Sequence, residues 1–160
     1  MKLALAIAEL QRSETQLAHH LRVVAARHHS DAGVFYLASD LALWSDSHVR
    51  TLRKHRARYG VAPANRRRHL AATAPLQRRL SQLLRRRPEP SLLLLADLRH
   101  IHRMAAGVSL DWELLAQGAP QAAKDDALLT MTSHCHPQTL RQMRWANAML
   151  KELSPQTLTT

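Results

Sequence analysis

Eleven histidines and five glutamates are the side chains of this 160-residue chain best suited to hold a metal ion, and their spacing decides what they can do. A carboxylate-bridged di-iron centre inside a helical bundle takes one Glu from each of two helices and a Glu-x-x-His pair from each of the other two. The carboxylates bridge and neutralise the ions, and the histidines complete the coordination sphere. The glutamates here are Glu9, Glu14, Glu89, Glu113 and Glu152, and none is followed three residues later by His. Where the second helix should carry such a pair stand Ser45 and His48, with a serine in the carboxylate position. No acid lies three residues before His134 or His136, and the Asp97/His100 pair falls on the third helix, outside the pattern. An intact di-iron centre is not expected.

A remnant is expected instead. If the first two helices are antiparallel with their turn near residue 31, positions whose numbers add to about 62 face each other, as Glu14 and His48 do. A buried carboxylate without a partner costs several kcal/mol, so the pair reads as a hydrogen-bonded filling of the centre or as two residual ligands. The same reasoning on the last two helices, with a turn near residue 119, pairs His102 with His136. Iron or zinc on Glu14, His48, His102 and His136 is the metal-binding alternative to the expectation of no cofactor. His134 and His136 are about 200° apart on a helix and cannot share an ion unless Pro137 distorts the turn. Cys135 reads as a small buried residue. His19, His20, His28 and His29 read as surface or helix-end residues.

The charge is concentrated. The formal net charge is +11, and the thirteen basic residues between Arg50 and Arg87 are not interrupted by any acid. The rest of the chain is close to neutral. Arg66, Arg67, Arg68, Arg85, Arg86 and Arg87 have the character of phosphate contacts, which makes nucleic acid or another polyanion one candidate partner. An acidic face of a partner subunit is a second reading, and a solvated surface enriched in Arg over Lys (19 against 4) is a third. No G-x-S-x-G elbow occurs, and four glycines are too few for phosphate-cradling loops, so catalysis is not expected.

The elements that must position these groups are helical. Ala, Leu, Arg and Gln dominate while β-branched residues are sparse, which makes a sheet improbable. Apolar periodicity predicts helices at about 3–29, 32–59, 91–117 and 121–152. The first has an a/d seam of Leu3, Ile7, Leu10, Glu14, Leu17, Leu21, Val24 and His28; the second has Val34, Leu37, Leu41, Trp44, His48, Thr51 and His55. Ser30 or Asp31 can cap the second helix, and Gly60 can stop it. The third is apolar on most faces, and Pro137 should kink the fourth. Residues 60–90 contain four prolines and form a long connection, with a short helix fitting near 76–86. One all-α domain over 1–160 follows: a four-helix bundle with a long crossover between its second and third helices. A single cysteine excludes an intrachain disulfide. The apolar start lacks a signal-peptide cleavage pattern and no run approaches a membrane span, so a cytoplasmic protein without membrane contact is expected.

Three stretches, ARHHSDAGVFYLASDLALWSDSHVRTLRKHRARYG (26–60), DLRHIHRMAAGVSLDWELLAQGAPQAAKDDALL (97–129) and CHPQTLRQMRWANAMLKELSPQTL (135–158), together resemble a family of uncharacterised bacterial ferritin-like proteins. The resemblance covers most of the chain outside the crossover. It implies the ferritin-like arrangement and no activity, because a fold does not assign chemistry. The leading expectation is a non-catalytic binding or assembly protein that forms a homodimer. A degenerate metal site and a weak, sequence-independent polyanion binder are the alternatives.

Overall fold

The computed structural model describes residues 2–59, 89–122 and 124–159. Among them are four α-helices and no strand: α1 (Lys2–Arg27), α2 (Ala32–Arg58), α3 (Pro90–Ala122) and α4 (Asp126–Thr159). None is long and apolar enough to cross a membrane. Gly60, the proposed 76–86 helix and the arginines at 66–68 and 85–87 lie outside the described residues.

The first helix ends at Arg27, two residues short of its reading, and its seam is buried along its whole length, His28 just beyond the helix included. Leu3, Ile7, Leu10, Glu14, Leu17, Leu21, Val24 and His28 are all buried. So are Leu94, Leu98, Ile101, Ala105, Val108, Trp112 and Leu115 of α3. On α2 the seam shifts. Leu37 is 46% exposed, and the buried stripe is Val34, Ala38, Leu41, Ala42, Ser45, His48 and Leu52. Val34, Leu41 and His48 keep their places, while the alternate positions move by one residue, from Leu37, Trp44 and Thr51 to Ala38, Ser45 and Leu52. The helix is therefore turned about its axis relative to the expected seam. Of the two candidate caps, Asp31 does the capping, accepting the Val34 N–H at 3.0 Å.

The last two helices differ from expectation in their bounds. Helix α3 runs through Gly118 and Pro120 to Ala122, and α4 starts only at Asp126 and continues through Pro137 and Pro155 to Thr159. Asp125 sets the start of α4: its carboxylate accepts the Leu128 N–H at 3.0 Å, an N-cap bond. Lys124 just before it has φ of 47°, a left-handed residue that turns the chain.

The contacts fix the directions. Glu14 meets His48, Arg22 pairs with Asp46 and Arg56 donates to Gln11, so α1 and α2 are antiparallel. Arg27 and His28 meet Asp97 while Glu14 meets Trp112, so α1 and α3 are antiparallel too. It follows that α2 and α3 are parallel, with Arg58 and Pro90 at opposite ends of the bundle. Helix α4 packs on α3, and Gln142 reaches Leu41 and Ser45 of α2. The seam between α2 and α4 is the loosest of the four, and it holds a cavity of about 410 Å³.

Candidate functional site

Half-way along the bundle each helix turns a polar residue inward. Helix α1 supplies Glu14 and α3 supplies Trp112; α2 supplies Ser45 and His48, three residues apart, and α4 supplies Thr139 and Gln142 at the same spacing. All six are buried, none more than 1% exposed. The Ser45/His48 and Thr139/Gln142 pairs each have the three-residue spacing of a Glu-x-x-His pair.

The side chains form a hydrogen-bond network. Glu14 Oε1 accepts from Trp112 Nε1 at 2.7 Å, from His48 Nδ1 at 2.8 Å and from Thr139 Oγ1 at 3.2 Å. Gln142 Nε2 donates to Ser45 Oγ at 2.9 Å and to the Leu41 carbonyl at 2.8 Å. The Trp112 indole meets the His48 ring edge-on, with centroids 5.6 Å apart. His48 Nε2, on the far side of its ring, lies 2.8 Å from Gln138 Oε1 at the wall of the α2/α4 cavity. Three donors converging on one carboxylate oxygen offset the cost of burying it. Its second oxygen, Oε2, has no hydrogen-bond partner among the described residues.

The residues present do not fit a di-iron ion pair. Trp112 offers no lone pair, its N–H can only donate, and Ser45, Thr139 and Gln142 are neutral where the chemistry needs carboxylates and an imidazole. Among the described residues no three His, Cys, Asp or Glu side chains converge on a common point. Cys135, buried on α4 beside the cavity, has its thiol pushed up to about 11 by burial and then by the Glu14 charge, so it is neither a ready nucleophile nor a ready ligand.

The paired reading of His102 and His136 is corrected. His102 Nδ1 donates to the Met143 carbonyl at 3.1 Å, and His136 Nε2 lies 2.8 Å from Ser109 Oγ and 3.8 Å from Glu113. The turn centres near residue 123, not 119, so each residue of α3 faces one about seven positions later on α4 than expected. His28, read as a surface or helix-end residue, is buried just past the end of α1, with Nε2 2.8 Å from Asp97, which Arg27 also grips at 2.7 and 2.8 Å. His20 is half-buried against His100, ring centroids 4.7 Å apart. The sequence reading found Glu14, Ser45 and His48 but missed Trp112, Thr139 and Gln142. Polar pairs at i,i+3 recur along α4, Thr130/Ser133 and Gln138/Arg141 among them, so spacing alone does not single out Thr139 and Gln142.

Comparisons with protein-family models, with curated proteins and with solved structures find no match.

Proposed function

We propose that this chain is a ferritin-like bundle whose metal positions are filled by a hydrogen-bond network, and that it acts by binding or assembly and not by catalysis. The observation that carries the reading is the Glu14 carboxylate, sealed by Trp112, His48 and Thr139 at the centre of the bundle. The parallel run of α2 and α3 supports the ferritin-like arrangement, since it requires a long connection between them. Exposed Leu110 and Leu114, one turn apart on α3, support self-association into a homodimer.

One observation favours a second reading, residual metal binding: Glu14 Oε2 is buried without a hydrogen bond, next to His48. Elemental analysis of protein purified without added metal separates the two. Less than one equivalent of iron or zinc, with no oxygen uptake on adding Fe(II), is expected. Two irons per chain with oxygen uptake would overturn the proposal. A complementary test restores the pattern with Ser45→Glu, Trp112→Glu, Thr139→Glu and Gln142→His. Binding of two divalent ions by that variant supports the positional equivalence, and a folded variant that binds none refutes it. Sedimentation equilibrium tests the homodimer, and a monomer at all concentrations removes it.

A further inference from the structure

The last three turns of α2 carry a row of cations on the side opposite its buried stripe. Arg50, Arg53, Lys54 and Arg58 are all exposed, and at about 100° per residue they fall within about 140° of one another. Arg50, Lys54 and Arg58 recur about once per turn and rise about 6 Å each time, giving a ridge about 12 Å long. No acid follows Asp46 on this helix, and Asp46 is held by Arg22. Arg50, Arg53 and Lys54 form no ion pair or side-chain hydrogen bond among the described residues. Arg58 feels Asp125, whose carboxylate accepts from Tyr59 at 2.7 Å.

Helix-end electrostatics explain only part of this. Cations stabilise the last turn of a helix, where His55, Arg56 and Arg58 stand, but the effect fades within that turn. Arg50, Arg53 and Lys54 precede it. Four adjacent cations repel one another, and among the described residues no acid pairs with Arg50, Arg53 or Lys54.

We infer that this ridge is a docking surface for the phosphate backbone of a nucleic acid. The inference deepens the binding reading above by naming a partner class. Three of the four cations are Arg, whose planar fork matches phosphate oxygens in pairs. A duplex presents one charge per about 1.7 Å of its axis, so a 12 Å ridge meets several phosphates at once. A membrane surface is disfavoured, because an interfacial helix needs a continuous apolar stripe beside its cations, and the exposed apolar residues on this face are Ala57 within the row and Leu43 two turns before Arg50. No exposed aromatic stands on the ridge to stack on bases, and Tyr59 is tied to Asp125. The contact is therefore to backbone and not to sequence.

Fluorescence anisotropy with a labelled 20-base-pair duplex tests this across a salt series. The wild-type chain should bind at low salt, with equal affinity for unrelated sequences. The variant Arg50→Ser, Arg53→Ser, Lys54→Ser, Arg58→Ser should bind more weakly. Its plot of log affinity against log salt should be shallower by about 0.9 per contact removed, or about 3.6 for all four. A charge-matched control, Arg99→Ser, Arg103→Ser, Arg141→Ser, Arg144→Ser, should retain most of the affinity. Circular dichroism confirms that both variants keep their helices. The inference is overturned if the wild type does not bind at low salt, or if the control loses as much as the ridge variant. It is also overturned if polyglutamate or anionic phospholipid vesicles bind the ridge more tightly than the duplex at equal charge. Failure here leaves the metal-analysis result above untouched, so the two readings fall separately.

Discussion

Trp112 and Glu14, 98 positions apart in the chain, share a 2.7 Å hydrogen bond at the centre of the bundle, the indole N–H donating to a carboxylate with no access to solvent. The bond ties α1 to α3 at the level where His48 of α2 and Thr139 of α4 reach the same oxygen. One atom thus holds four helices in register, and the consequences for stability are measurable.

Glu14 and His48 should be strongly coupled. Either Glu14→Ala or His48→Ala strands the other buried group, and losing one member of such a pair costs about 3–5 kcal/mol. The double variant removes both, so it should be less destabilised than the two single losses together by about 0.5–3 kcal/mol. Urea unfolding of the four proteins measures the coupling. Additive losses would show that the two side chains do not act as a unit.

Trp112 and Trp145 should not be equivalent. Trp112→Phe deletes a donor to the buried carboxylate and should cost about 1–3 kcal/mol beyond the change in packing. Trp145 has its Nε1 buried with no hydrogen-bond partner among the described residues, so Trp145→Phe should be near neutral or stabilising. Comparing thermal midpoints ranks the two. A larger loss at Trp145 would contradict the arrangement of the centre.

His20 should make the fold acid-sensitive. Its pKa is lowered from 6.5 to about 4, first by burial, then by His100 and His19, with Asp97 opposing and Arg27 adding to the shift. The folded chain therefore binds this proton less tightly than the unfolded chain. The contribution is fully present above about pH 6.5 and is lost as pH falls toward 4. In His20→Gln the difference in unfolding midpoint between pH 7 and pH 4.5 should shrink. An unchanged acid limb would place the sensitivity elsewhere.

Cys135 should be inert while the chain is folded. With its thiol pushed up to about 11, almost no thiolate exists at neutral pH, and the residue is 4% exposed. A thiol-specific reagent at pH 8 should label denatured protein quickly and native protein only as fast as the bundle opens. Rapid labelling of native protein would show that the cavity beside it admits reagents freely.

Much of this was legible from local periodicity. The α1 seam and the Glu14–His48 contact followed from one turn, well marked by its capping aspartate, because a short, capped connection fixes the register of two helices. The α3/α4 register did not follow. The third helix is expected to end at about residue 117, yet it passes through Gly118 and Pro120, and the deciding residues are Lys124 with its left-handed φ and the Asp125 cap. Three to four residues of error in a turn rotate every facing pair, which separated His102 from His136. Thr139 and Gln142 were illegible for another reason: neutral polar residues on a helix have no signature until a buried partner is known. The His28–Asp97 contact joins α1 to α3 across a separation of 69 residues, and no local pattern announces it.

The placement of Trp112 also equips the molecule with an optical gauge of its own. The indole is shielded from water, lies against a carboxylate at its N–H and meets an imidazole edge-on, with ring centroids 5.6 Å apart. Emission from an indole in contact with a carboxylate and an imidazole should change when either group moves. In a Trp44→Phe, Trp145→Phe background, a single chromophore would register any event that shifts His48, including entry of a small molecule into the cavity whose wall that ring forms. The centre of the bundle can then be observed by light without a label.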